Sequence, residues 1–594
     1  MGATNGPLAT GRGLAALPVA TALRAVLREG YDGAAFRADV LAGLVVGVVA
    51  LPLSMALAVA TGVPPQHGLY TAIIGGFTIA LLGGSRVQVS GPTAAFVVIL
   101  APIVSQFGIG GLLVAGLMAG LILIAMGLAR LGQLVQFVPY PVTTGFTAGI
   151  AVVIATIQLK DFLGLPIAHL PEDWLGKATA IAMALPATHL PDLAVGALTL
   201  ATLLAWPRVS RRVPAPLVGL LAGVAAAELL RAFAPGLEVA TLDSRFTFTI
   251  DGVTGHGIPR LPPLPLAPWH LPGADGRPLV LDVALLRSLA GPALAIAMLG
   301  AIESLLSAVI ADGMTGRKHD PDAELVAQGV GNVVAPFFGG IAATGAIART
   351  ATNIRAGARS PVAAVVHAAA VLAAVLVLAP LLGRLPMASL AALLLLVAWN
   401  MSEIGHFTHV LRTAPRSDIA VQLVCFALTV LVDMVAAIAV GLVLASFLFM
   451  HRMIAVSGAR LVDPEEAAPR GPLPAGVHIY EIAGPLFFGA AHKATSALAS
   501  IGQGDERSLI LDVSAVPAMD ATGIVNLQSA LRRLEHAGVL VILAGLCPQP
   551  AAALTRAGWR EEPGRLAFCP DVEAALKLVS GLARAEAHDP VQGP

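Results

Sequence analysis

The sequence predicts an α-helical polytopic membrane protein: fourteen spans arranged as two seven-span halves of opposite topology, followed by a small C-terminal α/β domain. Three observations carry that expectation. Of the 594 residues, 57% are hydrophobic and only 12% charged, about half the charged share of a soluble domain. Basic residues recur on alternate connections between apolar segments. Two apolar segments in corresponding places of the two halves are interrupted in the same way.

Composition also excludes several classes. A formal net charge of zero gives no pointer to nucleic acid or to an acidic partner. Cys425, Cys547 and Cys569 lack a metal-binding spacing, and their placement fits a reducing cytoplasm and argues against a disulfide framework; no metal and no cofactor are expected. The N-terminus lacks the basic, apolar and small-residue order of a cleaved signal peptide. Without a Gly-rich Lys-Ser/Thr loop the chain is not expected to be an ATP-driven pump, and no enzymatic activity is expected of it.

A span needs about 20 mainly apolar residues, fewer where a helix ends inside the protein. The first seven lie near 39–60, 67–83, 92–106, 110–129, 139–158, 189–206 and 214–233. The second seven lie near 288–311, 323–338, 344–357, 361–382, 386–400, 418–434 and 435–451. With a cytoplasmic N-terminus, every even-to-odd connection should carry Lys or Arg. Arg86, Arg130, Arg208 with Arg211 and Arg212, Arg317 with Lys318, Arg355 with Arg359, Arg412 with Arg416, and Arg452 all fall there. The short loops 62–66, 106–110 and 339–343 on the other side carry no charge. The expected domains are an N-terminal cytoplasmic segment (1–37), a transporter-like membrane domain (38–452), a proline-rich linker (453–474), a cytoplasmic α/β domain (475–585) and a tail (586–594).

The interrupted segments are the most informative. One reads Gly83-Gly84-Ser85-Arg86-Val87-Gln88-Val89-Ser90-Gly91-Pro92-Thr93-Ala94-Ala95-Phe96, with Pro92 where a helix would begin. The other reads Gly339-Gly340-Ile341-Ala342-Ala343-Thr344-Gly345-Ala346-Ile347-Ala348-Arg349-Thr350. Each is the third span of its half, the pattern expected of an inverted repeat. Two half-helices would then meet near the midplane with free N–H groups and positive dipole ends, which attract an anion. Close helix packing through glycine is the plainer alternative.

Glu303 lies inside an apolar span, where a carboxylate is costly and usually functional. Ser307 follows one turn later on the same face. Glu303 could carry a proton, help hold a cation, or pair with Arg349; Arg349 could instead add positive potential beside an anion. Asp39 reads as a helix cap at the cytoplasmic face. His67, Asn332 and Asn400 read as polar contacts between helices.

At these residues the chain resembles the SulP family of anion transporters, the bacterial branch of a group that includes animal sulfate, chloride and bicarbonate exchangers and prestin. The resemblance rests on 48–70 with Gly62-Val63-Pro64-Pro65-Gln66-His67-Gly68-Leu69-Tyr70, on 83–96, 299–332 and 337–361, and on 396–403 and 484–488. It covers nearly all of the chain from about residue 37. Residues 313–318 and 346–349 are most similar to a bacterial branch that takes up dicarboxylic acids.

The resemblance implies core and gate domains, a homodimer in the cell inner membrane and a C-terminal STAS domain. It implies an anion held between Thr93, Ala94 and Ala95 on span 3 and Gly345, Ala346 and Ile347 on span 10, against Leu53 and Leu57 on span 1. Sodium-coupled relatives have an acid matching Glu303 and a hydroxyl matching Ser307, but a hydroxyl where this chain has Ile347. A proton is therefore expected in preference to sodium. Leu511-Asp512-Val513-Ser514 and Met519-Asp520-Ala521-Thr522-Gly523 resemble a STAS strand and phosphorylation loop, with Thr522 either a regulatory site or part of a plain helix N-terminus. The expected activity is proton-coupled symport of C4-dicarboxylates. Sulfate or bicarbonate transport, coupled to proton or sodium, is the alternative, as is an anion channel or a sensor signalling through the STAS domain.

Overall fold

The computed structural model describes residues 18–133, 138–210, 213–233, 236–250, 253–463, 473–487 and 507–588. Residues 1–17 of the expected N-terminal segment, Arg211, Arg212, linker residues 464–472, Phe488 and the end of the tail (589–594) lie outside them. The chain forms two compact units, Met1–Leu442 and Val443–Pro594.

In the first unit a short amphipathic helix, α1 (Thr21–Glu29), precedes span 1, α2 (Gly33–Thr61). Span 2 comprises α3 (Pro65–Tyr70), a π-helical turn (Thr71–Gly75) and α4 (Gly76–Leu82). After β1 (Ser90–Gly91), spans 3 and 4 form one kinked element, α5 (Ala94–Leu128). The kink falls at Gly108, whose φ of +69° favours glycine. A Cβ there would also lie 2.3 Å from the Gly273 backbone. Spans 5 to 7 are α6 (Tyr140–Phe162), α8 (Leu190–Val209) and α9 (Ala215–Phe233), with an extra short helix, α7 (Trp174–Ala184), between the first two. The proline-rich loop that follows contains α10 (Leu242–Arg245) and a hairpin of β2 (Thr247–Ile250) and β3 (Val253–His256).

The second half repeats the order. Spans 8 and 9 are α11 (Val283–Thr315) and α12 (Pro321–Val334); β4 (Thr344–Gly345) then leads into span 10, α13 (Ile347–Arg355). Spans 11 and 12 are α14 (Val362–Gly383) and α15 (Met387–Met401). An unforeseen helix, α16 (Ile404–Thr413), separates them from α17 (Arg416–Leu431) and α18 (Met434–Val456). Helix thus occupies all fourteen expected segments. Among the described residues, nine helices are long and apolar enough to cross a membrane.

Packing divides the membrane unit as the resemblance implies. Helices α2, α4, α5, α11, α12, α13 and α14 pack on one another, and α6, α8, α9, α15 and α17 form a second group. The first four spans of each half supply one group and later spans the other, which is the signature of a repeat. Asp39 does not cap its own helix; Asp32 does, accepting the Ala35 N–H at 2.7 Å. The buried Asp39 carboxylate instead accepts the Arg359 and Ser360 N–H groups at 2.6 and 3.1 Å, tying α2 to the turn before α14. Tyr31 donates to the same carboxylate at 2.8 Å; burial first, then that bond, pushes its hydroxyl up to about 12.

In the second unit a five-stranded sheet runs β5 (Gly458–Leu461), β6 (Val477–Ala483), β7 (Ser508–Ala515), β8 (Leu540–Ala544) and β9 (Leu566–Cys569). All neighbours are parallel except β5, which is antiparallel to β6. Part of the expected linker 453–474 is therefore structured: α18 continues to Val456, and β5 edges the sheet with Arg460 paired to Glu481 at 2.8 Å. One face of the sheet is covered by Leu527, Leu531 and Leu534 of α19 (Ala521–His536) and Leu554 of α20 (Pro548–Arg556). The other is covered by Val572, Ala575, Leu576 and Val579 of α21 (Val572–His588).

Candidate anion-binding site

The two interruptions meet. Ser90 pairs with Gly345 and Gly91 with Thr344 in a two-residue antiparallel ladder, and the Ala346 N–H extends it to the Val89 carbonyl at 2.9 Å. The antiparallel sense suits halves inserted with opposite topology. Each strand runs into a helix whose cap residue, Thr93 for α5 and Ala346 for α13, has extended backbone and no side-chain cap bond. Helix α5 therefore begins one residue after Thr93, and α13 after Ala346. Their first-turn N–H groups cannot be paired within the helices, so both positive dipole ends are available to a ligand.

A cavity of about 250 Å³ opens at these two ends. Its wall includes seven of the eight residues expected to bind substrate: Leu53, Leu57, Thr93, Ala94, Ala95, Ala346 and Ile347. Gly345 stands behind it, with no room for a side chain, since a Cβ would lie 2.1 Å from Gln88 Nε2 and 3.1 Å from the Ser304 Cα. Phe146, Leu299 and Val397 add apolar surface, and Asn400 and Glu403 add polar groups. Asn400, expected in an interhelical bond, is exposed at this wall.

Glu303 and Arg349 both reach the cavity but do not form an ion pair within 4 Å among the described residues. Instead each grips the start of α5. Thr93 Oγ1 donates to Glu303 Oε2 at 2.8 Å, and Arg349 Nη2 donates to the Pro92 carbonyl. The guanidinium, 2% exposed, lies over Gly91, where a Cβ would come 2.6 Å from Nη1. Gly91 is thus needed for close approach. Among the described residues Arg349 Nε and Nη1 have no hydrogen-bond partner, so the buried guanidinium beside the cavity keeps donors that no protein group takes up. Ser307 is not part of this cluster: its hydroxyl is buried and donates to Thr350 Oγ1 at 3.4 Å.

Sequence reasoning missed Glu324. Buried on α12, its carboxylate accepts the Gly84 and Ser85 N–H groups at 3.1 and 3.2 Å. Gln88 Nε2, Ser304 Oγ and Gln328 Nε2 also donate to it, at 2.9, 3.2 and 3.2 Å. It fixes the chain entering β1 as Asn332, bonded to both N–H and C=O of Ala343, fixes the chain entering β4. Beside Asp320 and Asp322 it reads as an ordinary acidic helix start. The available signal was the one-face stripe Glu324, Gln328, Asn332. Removing this acceptor leaves buried donors unsatisfied, which costs about 1–3 kcal/mol for each such group. Glu324→Ala should therefore melt at a lower temperature in detergent and bind anion poorly, as read by thermal unfolding and titration. His67 makes the contact expected of it, Nδ1 to the Gly339 carbonyl at 2.6 Å.

The second unit places Thr522 exposed on the first turn of α19, where Asp520 is the cap, accepting from the Gly523 N–H at 2.7 Å.

Comparison with known proteins gives two family matches, the sulfate permease family over residues 36–425 and the STAS domain over 472–575. A Bacillus subtilis protein, YvdB, whose name assigns it provisionally to sulfate transport, is 41% identical, covering 91% of this chain and 97% of its own. The bicarbonate transporter BicA of a Picosynechococcus strain is 28% identical, covering 88% and 90%. The overall structure of SLC26A9 superposes with a TM-score of 0.78 at 18% identity, covering 95% and 93%, a likeness of fold.

Proposed function

The chain belongs to the sulfate permease family of membrane anion transporters, and from that premise we propose that it is a secondary transporter coupling a small dianion to a proton. The observation that carries this reading is the joining of Glu303 to Thr93, the cap residue of α5, at 2.8 Å. A proton site and an anion site that share a hydrogen bond feel each other's charge, and such linkage is reciprocal. The Ile347 side chain offers no oxygen for sodium, and the Ser307 hydroxyl is engaged with Thr350, which favours a proton.

C4-dicarboxylates are the substrate class that best suits the wall. Its leucines, Ile302, Phe146 and Val397 would contact a short hydrocarbon segment, while one carboxylate meets the helix starts and Arg349 and the other meets the Asn400 amide. At about 250 Å³ the cavity is smaller than sites for drug-sized ligands. Sulfate is the second reading, favoured by the name of the 41% identical relative. Titration of purified protein with succinate, fumarate, sulfate and bicarbonate separates them. Succinate binding more tightly than sulfate supports the first reading; sulfate binding with succinate inert overturns it.

The proposal extends to a homodimer in the inner membrane; the basic connections support an N-terminus and STAS domain on the cytoplasmic side. Phosphorylation of the exposed Thr522 would add charge at the start of α19, a means of regulation. The STAS domain is not needed for binding, because every cavity residue lies in the first unit. A protein truncated after Ala455 is expected to keep its substrate affinity within about threefold. Loss of binding by a monodisperse truncated protein would contradict this.

A further inference from the structure

A second cavity, of about 380 Å³, lies near the C-terminal end of α11. It is distinct from the first: Asp312 on its wall and Glu303 are two and a half turns apart, about 13 Å along the helix. Arg86, Arg317, Lys318 and Arg359 line it, with the hydroxyls of Ser85 and Thr315. These are four of the basic residues that mark the cytoplasmic connections.

Three carboxylates lie against this wall, and all are engaged; Asp39 takes the Arg359 backbone N–H at 2.6 Å. Asp312 accepts from the His319 N–H at 3.2 Å and meets its Nδ1 at 2.8 Å. Glu29, at the end of α1, takes Arg86 Nη1 at 2.6 Å, a second Arg86 bond from Nη2, and Arg317 Nη1 at 3.3 Å. The Arg86 bond chiefly holds its carboxyl below the usual range. Among the described residues the side chains of Lys318 and Arg359 make no ion pair within 4 Å, so four basic side chains outnumber the three carboxylates and the cavity keeps a positive excess. Guanidinium forks, an ammonium and hydroxyls around one concavity are the chemistry that recognises phosphate oxygens.

We propose that this cavity binds a phosphate-bearing anion, and that Glu29 is a built-in competitor which the phosphate displaces from Arg86 and Arg317. The start of α1 stays anchored by the Ala20 and Ala22 N–H groups on the Leu82 and Gly83 carbonyls. Displacement therefore frees only its Glu29 end. A lipid headgroup or a soluble phosphate could supply this chemistry. Leu27 and Phe36, exposed at 63% and 51%, stand beside Arg28 and Arg37 where a lipid would approach.

The test uses full-length protein in three forms: wild type, Lys318→Ala/Arg359→Ala and Glu29→Gln. One arm titrates inorganic phosphate in detergent. The other extracts protein from phosphatidylcholine vesicles with or without about a tenth phosphatidylglycerol and counts retained lipid by native mass spectrometry. The double variant should bind about tenfold more weakly and Glu29→Gln several-fold more tightly. The phosphate arm responding alone identifies a soluble anion; the lipid arm alone identifies a headgroup; both responding shows one shared chemistry. Binding must survive Ala346→Leu, which obstructs only the central cavity. Equal binding by wild type and the double variant in both arms, or loss of all binding in Ala346→Leu, overturns the proposal.

Discussion

In Ala346→Leu the anion affinity of the purified protein is expected to fall by about 100-fold or more, with folding intact. Ala346 caps α13 with extended backbone, is 7% exposed and lines the cavity. It lines the cavity at the start of α13, so a leucine there would take up space beside the first-turn N–H groups that the proposed anion needs. Ala94, the first residue of α5 and 6% exposed, should respond to leucine in the same way. Neither change touches the ladder between β1 and β4, which is made by backbone groups. Titration of each variant, with size-exclusion and thermal unfolding as folding checks, reads the result. Undiminished affinity in either folded variant would remove the anion from the helix starts.

Glu303→Gln should separate binding from accumulation. The glutamine oxygen can still accept the Thr93 hydroxyl, so the start of α5 keeps its support, and the amide resembles the protonated acid. Anion binding and exchange of labelled for unlabelled substrate should persist. Accumulation against a gradient should vanish, because the site can no longer exchange a proton. The coupling at stake is large: two charges roughly 5 Å apart at an effective dielectric near 20 interact by about 3 kcal/mol. By reciprocity the proton assists the anion as much as the anion assists the proton. Wild-type uptake should therefore rise as the outside becomes mildly acidic, and the variant's should not. A variant that still follows the pH gradient would place the proton elsewhere.

How much of this was legible depends on the physical signal each residue leaves. Glycine pairs and Pro92 interrupt apolar runs, so the two breaks could be found, while the residues of the cavity wall came from the family resemblance. Two-residue strands leave no periodicity, so the joining of Ser90 with Gly345 was invisible. The partner of Ser307 was not legible, because helical spacing fixes a face but not which neighbour meets it; Thr350 of α13 does. Arg349 and Glu303 invited an ion pair, yet both serve the start of α5. Glu324 was hidden by two neighbouring acids. Helices α7 and α16 are too short to announce themselves as spans, and β5 lay in sequence whose prolines and acids suggested only a linker.

The most direct test of the central claim is succinate uptake by purified wild-type protein in sodium-free liposomes with an imposed pH gradient, acid outside. Internal succinate is expected to rise above its equilibrium level and to return to it when a protonophore collapses the gradient. Succinate that only equilibrates whatever the pH gradient, or that accumulates only when sodium is supplied, would contradict proton-coupled transport through this cavity.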